Sequence, residues 1–185
     1  MTPFTYLRSD TVSGDCYNEP DKRGRQTRNG ATNMPAVKVG DHAPEFTATT
    51  QNGTTIGLAD YRGKGGVVLF FYPKDGTPIC TQEACAFRDS YERFVDAGAE
   101  VIGISSDSAE SHQAFAERHK LSFPLLSDGD GSLRKLFGVA KTWGLFPGRV
   151  TYVIDKEGII RLIYSAQFAS AEHVRQALQV LETGV

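Results

Sequence analysis

Apolar and polar positions along the chain follow two regimes that meet near residue 34. From residue 37 onward the pattern is regular. Phe46 and Ala48 alternate with polar neighbours, Gln51-Asn52-Gly53 supplies an Asn-Gly turn, and Thr54-Thr55-Ile56 follows, which predicts a short hairpin. The run Val67-Val68-Leu69-Phe70-Phe71-Tyr72 has no polar interruption and predicts a strand buried on both faces. A loop with Pro73, Gly76 and Pro78 leads into a helix of about five turns that ends near Gly98. Ala99 to Ser105 predicts a second buried strand, and Ser106-Asp107-Ser108 offers caps for a helix reaching His119. A short helix over Ser132 to Phe137 comes next, then strands at 150–155 and 159–164 around Lys156-Glu157-Gly158. Ser170 caps a last helix whose Val174, Ala177, Leu178 and Leu181 form one stripe.

The order of elements is hairpin, β, α, β, α, then β-hairpin and α. The βαβ part implies parallel neighbours with a right-handed crossover. The final hairpin adds antiparallel edge strands, so the expected fold class is α/β, with a mixed central sheet and helices on both faces.

Residues 1–33 belong to the other regime. They hold eight apolar residues, with Arg8, Lys22, Arg23, Arg25 and Arg28 interleaved among Asp10, Asp15, Glu19 and Asp21. Such a segment buries too little to offset its ordering entropy, so it reads as a disordered extension ahead of a single domain over 34–185. Its four acids count against an organelle transit peptide. Met34 stands where the folded part is expected to begin, so an over-extended reading frame is one explanation for the tail, and Cys16 is expected to go with it.

Composition removes several function classes. Of 185 residues, 40% are apolar and 23% charged, with net charge −2, an ordinary globular balance that argues against nucleic-acid binding. The apolar run at 67–72 is far shorter than the ~20 residues of a membrane-spanning helix. Three cysteines, Cys16, Cys80 and Cys85, are too few and too odd in number for a secreted disulfide framework. Four scattered histidines (His42, His112, His119, His173) do not give the close spacing of a zinc site.

The chemistry concentrates in Pro73-Lys74-Asp75-Gly76-Thr77-Pro78-Ile79-Cys80-Thr81-Gln82-Glu83-Ala84-Cys85, beyond the carboxyl end of a buried strand, where open α/β sheets carry reactive sites. Pro78 at the first helical position makes Thr77 the N-cap and Cys80 the third helical residue. Unpaired backbone N–H groups and the positive end of the helix dipole there favour a thiolate. Cys80, Ala84, Phe87, Tyr91 and Phe94 follow helical spacing and turn Cys80 toward the sheet. A small buried core residue is the competing reading of Cys80. Cys85 lies five residues on, ~8.6 Å away between Cα atoms on an intact helix, beyond the ~7 Å a disulfide tolerates. A bond between the two requires the first turns to unwind, which suits a two-step redox cycle better than a permanent staple. Cys85 as a partly buried spectator is the other reading. Thr77 reads as a cap or as a hydroxyl donor to a ligand beside the sulfur, and Arg149 as a surface or interstrand salt bridge. His112 and His119, seven apart on one helix, read as solvated, His42 and His173 as without role, and Trp143 as loop packing.

These residues resemble the peroxiredoxins, specifically the type Q (bacterioferritin comigratory protein) class. Pro73, Thr77 and Cys80 match the family's proline, threonine and cysteine at their spacing, and Cys85 matches the type Q resolving position. The stretch Leu145 to Asp155 resembles the segment bearing the family's arginine, at Arg149, and Val39 to Phe46 resembles its opening. The likeness runs from about residue 36 to 183 and is strongest to the cyanobacterial and chloroplast branch. Gly76 and Ile79 depart from many relatives, which have Asp and Gly there.

The resemblance implies a thioredoxin-like fold and reduction of hydrogen peroxide and organic hydroperoxides. Cys80 would attack the peroxide, and Thr77 and Arg149 would orient it and stabilise charge. Cys85 would close an intramolecular disulfide that thioredoxin or a similar dithiol reduces. No metal, flavin or haem is implied, and the resemblance suggests a monomer in a bacterial cytoplasm, cyanobacterial in type, rather than a chloroplast stroma. A thiol relay that senses peroxide and passes oxidation to a partner uses the same two thiols and is the alternative. A Cys-x-x-Cys oxidoreductase and a zinc clip at the two cysteines rank lower.

Overall fold

Strand β3 (Gly66–Phe71) is buried along its whole length at the centre of a sheet, as an uninterrupted apolar run requires when both faces are covered. The structure, a computed structural model, describes residues 37–141 and 147–184. The expected tail over 1–33, Cys16, Trp143 and the Leu145-Phe146 start of the arginine segment lie outside the described residues.

Two short strands precede β3: β1 (Thr47–Thr49) and β2 (Thr55–Gly57) pair antiparallel across the Asn52-Gly53 turn, giving the expected hairpin. After β3 come α1 (Pro78–Asp89), α2 (Tyr91–Asp96), β4 (Ala99–Ser105) and α3 (Ala109–His119). The chain continues with β5 (Leu125–Ser127), α4 (Ser132–Leu136), β6 (Val150–Ile154), β7 (Ile160–Ser165) and α5 (Ser170–Glu182). The five later strands form one mixed sheet in the order β5-β4-β3-β6-β7, parallel from β5 to β3 and antiparallel from β3 to β7. With helices against it, this is the thioredoxin-like arrangement that the resemblance implies.

Several local expectations differ from the structure. The helix read as continuous from Pro78 to Gly98 breaks at Ser90, whose backbone turns to φ −106°, ψ 5° while its N–H still reaches the carbonyls of Ala86 and Phe87. Serine is a weak helix-interior residue, and the break lets α2 follow its own path over β4. The final hairpin does not supply two edge strands: β6 is buried beside β3 and only β7 is at the edge. Strand β5, three residues long, had no distinct signal. Ser170 is the first residue of α5 rather than its cap; Ala169 occupies that position without a side-chain hydrogen bond. The helix is held instead by its buried Val174, Ala177 and Leu178. Ser108 does cap α3, accepting from Ser111 N.

The alternation of β3 divides the core. Val68, Phe70 and Tyr72 face Cys80, Ala84, Phe87, Phe94, Phe115 and the α5 stripe. Val67, Leu69 and Phe71 face Phe46, Leu133, Phe137 and Tyr152 on the other side. Phe70 stacks on Phe87 with ring centroids 4.4 Å apart, so the aromatic pair fixes α1 over the strand whose end carries the loop into Cys80.

Truncating that ring tests the dependence. Phe87→Ala should lower stability by about 3–5 kcal/mol, the range for removing a fully buried phenylalanine. Urea unfolding followed by circular dichroism measures it; a change below about 1 kcal/mol would mean α1 is positioned by something other than this stack.

Candidate active site

The loop between β3 and α1 is tied down before the helix begins. Asp75 Oδ1 accepts from Tyr72 Oη at 2.7 Å, and Oδ2 accepts from Ser111 Oγ at 3.0 Å and lies 2.8 Å from His112 Nδ1. The Asp75 N–H donates to Asp107 Oδ2 at 2.9 Å. Burial works to raise the Asp75 carboxyl, but the bonds from His112, Tyr72 and Ser111 outweigh it and hold it below the usual range. Tyr72, buried and beside Asp75, is pushed well above the usual phenol range and stays a hydrogen donor. Gly76 then takes φ 69°, a left-handed turn that glycine makes without strain.

Helix α1 starts as the sequence indicates, with Pro78 first and Thr77 in extended geometry at the cap (φ −75°, ψ 146°). Thr77 does not cap with its side chain: its hydroxyl donates to the Lys74 carbonyl at 3.1 Å. The expected donor toward a ligand is therefore engaged, and the Thr77 oxygen is left to act as an acceptor.

Cys80 is only 1% exposed, and Arg149 Nη2 donates to its Sγ at 3.1 Å. Arg149 is itself 2% exposed, which overturns the surface salt-bridge reading. Its Nε donates to the Gln167 carbonyl at 3.1 Å and its Nη1 to Glu83 Oε2. Gly148 sets the approach of β6: a Cβ there would stand 2.1 Å from the Ala140 carbonyl oxygen, so only glycine lets Arg149 enter at this position. Pro73, Thr77, Pro78, Ile79, Cys80, Arg149 and Gln167 line a cavity of about 260 Å³. The structure thus brings Pro73, Thr77, Cys80 and Arg149 to one opening. A cavity of about 590 Å³ against α4 is larger but carries neither described cysteine.

Cys85 does not line the small cavity. It is half-buried further along α1, and its Sγ lies 3.9 Å from His119 Nδ1. With α1 intact over Pro78–Asp89, the two sulfurs sit on different parts of the helix surface and both are free thiols.

Two histidines and a glutamate that the pattern did not single out are parts of this region. Glu83 is fully buried beside Arg149, and burial pushes its carboxyl up to about 8 while Arg149 pulls it back. Its Oε1 has no hydrogen-bond partner among the described residues, although His173 Nδ1 lies 3.6 Å away. His173 is buried, with Nε2 2.8 Å from the Ala166 carbonyl and Nδ1 2.8 Å from Thr151 Oγ1. A carbonyl only accepts, so Nε2 carries the hydrogen and Thr151 donates to Nδ1. His112 is likewise fully buried. The solvated and roleless readings of His112 and His173 are wrong because both rings find polar partners inside the protein, while His42 is exposed. Among the described residues no group of His, Cys, Asp or Glu is placed to hold a metal.

Comparison with known proteins bears on this geometry. The model of the AhpC/TSA family matches residues 39–163. The chain is 50% identical over 148 residues to a chloroplastic peroxiredoxin Q of Sedum lineare, covering 80% of this chain and 79% of the relative. Among solved structures it is similar to the peroxidoxin BcpB of Mycobacterium tuberculosis, with TM-score 0.74, 37% identity, and 80% and 98% of the two chains covered. It is also similar to the bacterioferritin comigratory protein of Xanthomonas campestris, described for its alkyl peroxide reduction activity, with TM-score 0.65, 33% identity, and 72% and 90% covered. The sequence relatives named chloroplastic give no support to the expectation of a bacterial cytoplasm.

The buried imidazole predicts an acid sensitivity. Burial pushes His173 down from 6.5 to about 4. The folded state then binds fewer protons than the unfolded chain in that window. This stabilisation is complete above about pH 6.5 and is lost as pH falls through about 4, amounting to at most about 3 kcal/mol. His173→Gln should remove that share of the pH dependence; urea midpoints at neutral and mildly acidic pH for both proteins measure it, and parallel curves would contradict it.

Proposed function

The chain belongs to the AhpC/TSA family and, within it, to the peroxiredoxin Q class of thiol peroxidases, and from that premise we propose a two-cysteine cycle in which Cys80 attacks a hydroperoxide and Cys85 resolves the product. The observation that carries this reading is the Arg149 guanidinium donating to Cys80 Sγ at 3.1 Å in a cavity that Pro73 and Thr77 also line. A guanidinium hydrogen-bonded to sulfur stabilises a thiolate, the nucleophilic form.

In the proposed first step the Cys80 thiolate attacks the terminal oxygen of hydrogen peroxide or an organic hydroperoxide. The S–O bond forms as the O–O bond breaks, leaving a sulfenic acid, and the departing oxide is protonated to water or an alcohol. Thr77 Oγ1, with its own hydrogen committed to Lys74, accepts from the substrate hydroxyl. Arg149 stabilises the negative charge that passes from sulfur to the leaving oxygen, a donor already in place before reaction. Pro73 closes one wall of the cavity. The activity of the Xanthomonas relative toward alkyl peroxide supports the substrate class.

In the second step the first turns of α1 unwind, Cys85 displaces hydroxide from the sulfenic sulfur, and water leaves. Thioredoxin or a similar dithiol then reduces the Cys80–Cys85 disulfide by exchange.

Mass analysis of trapped thiol states after one equivalent of peroxide tests the roles. The wild type should form an intramolecular disulfide, Cys80→Ser should not react, and Cys85→Ser should accumulate sulfenic or over-oxidised Cys80. Reaction retained in Cys80→Ser and lost in Cys85→Ser would reverse the assignment. Arg149→Gln should lower kcat/KM by about 100-fold, the cost of one preorganised donor. Continuous NADPH oxidation with thioredoxin and its reductase is expected for a peroxidase, whereas consumption that stops after one equivalent would favour the sensing relay.

A further inference from the structure

Cys85 has a neighbour that the cycle above does not use. His119 closes the C-terminal end of α3, and its Nδ1 points at Cys85 Sγ across 3.9 Å, within reach of a sulfur hydrogen bond. The contact is held from both sides. Arg88, one turn beyond Cys85 on α1, donates Nη1 to the His119 carbonyl at 2.6 Å, which pins the end of α3 to α1. The Phe115 ring meets the imidazole edge-on with centroids 4.9 Å apart and sets its plane. The Arg88 guanidinium also interacts electrostatically with the Cys85 sulfur, placing a cation where a thiolate would form. His119 thus meets Cys85 and Arg88 from α1 and Phe115 from its own helix, with Asp89 paired to Arg88 behind them.

Resting on the two-cysteine reading, we propose that His119 is the general base for the resolving step, taking the Cys85 proton through Nδ1 before the thiolate reaches the oxidised Cys80. The step balances internally. The Cys85 S–H bond breaks toward imidazole nitrogen, and the resulting thiolate forms the S–S bond as the S–O bond of the sulfenic acid breaks. The departing hydroxide becomes water with the proton that His119 releases. No oxidant beyond the peroxide already consumed is required. The order also suits the fold: the imidazole touches the thiol only while α1 is intact, so the proton leaves first and the helix opens second. The tautomer that serves carries its hydrogen on Nε2 and leaves Nδ1 as the acceptor.

The size of the effect is bounded. An unassisted cysteine is only a few per cent thiolate at neutral pH, so a base can gain at most about 30-fold there, and nothing once solvent ionises the thiol unaided. The test follows rapid-quench alkylation of wild type, His119→Leu and His119→Gln from pH 6 to pH 10. It records sulfenic acid formation and disulfide closure separately. Both variants should form the Cys80 sulfenic acid at the wild-type rate, close the disulfide about 10- to 30-fold more slowly near pH 7, and converge on the wild type by about pH 9–10. Added imidazole should restore part of the lost rate. Wild-type closure in both variants at pH 7 would overturn the proposal, and so would slowing that persists unchanged at alkaline pH, which would make His119 a packing residue. Absence of a Cys80–Cys85 disulfide in the wild type would instead remove the two-cysteine reading itself.

Discussion

A guanidinium buried at 2% exposure is costly unless its donors are met, and among the described residues Arg149 meets partners on α1 and on the chain beyond β7. Its Nη2 reaches Cys80 and its Nη1 reaches Glu83, both on α1, while its Nε reaches the Gln167 carbonyl beyond β7. The same ion therefore fastens the first turns of α1 to the start of β6 and charges the place where the sulfur sits. Removing one member would leave another buried group unpaired, which is why the contacts are better regarded as one unit than as separate bonds. In the proposed cycle oxidation acts on this unit directly. A thiolate converted to a neutral sulfenic acid gives Arg149 a weaker partner, so the tie between α1 and β6 loosens at the moment when the helix must open.

The corner that carries Cys80 was legible in the sequence because its determinants are local. Proline at the first helical position, threonine before it and a cysteine on the apolar spacing of Ala84 and Phe87 are set within one turn, and the structure keeps each of them in place. What the pattern lost were polar residues on apolar faces. Glu83 lies between Cys80 and Ala84 on the buried side of α1, and His112 shares the face of Phe115 and Ala116 on α3. Counting only apolar positions sends such residues to the surface, although spacing places them inside. Their partners, Arg149 from β6 and Asp75 from the β3–α1 loop, are 66 and 37 residues away in sequence, and no local signal announces them. The same holds for β5, whose three residues gain strand form only by pairing with β4.

In the proposed cycle, the extent of unwinding would be set by where large side chains and fixed bonds begin. On the N-terminal side Asp75 is held by Tyr72, Ser111, His112 and Asp107, so the loop before Gly76 stays with the sheet. On the C-terminal side Phe87 is stacked on Phe70, and Arg88 is bound to the end of α3. Between these limits the fully buried residues of α1 are Cys80, Glu83 and Ala84. Exposing a cysteine and an alanine forfeits about 1–2 kcal/mol of apolar burial, against about 3 kcal/mol or more for a phenylalanine.

Glu83 shifts this balance further toward opening. Burial pushes its carboxyl up while Arg149 pulls it back, so its charge is held in the intact helix at a desolvation cost that water would relieve. In the proposed cycle, opening would return the group to solvent and relieve that desolvation, which would offset part of the lost burial. Arg149 opposes this, because in the proposed opening it would lose Cys80 and Glu83 and retain the Gln167 carbonyl among its described partners. In the proposed cycle, oxidation would weaken the Arg149–sulfur contact and so favour unwinding, and a helix that instead buried a leucine at position 83 would gain nothing from returning a carboxyl to water.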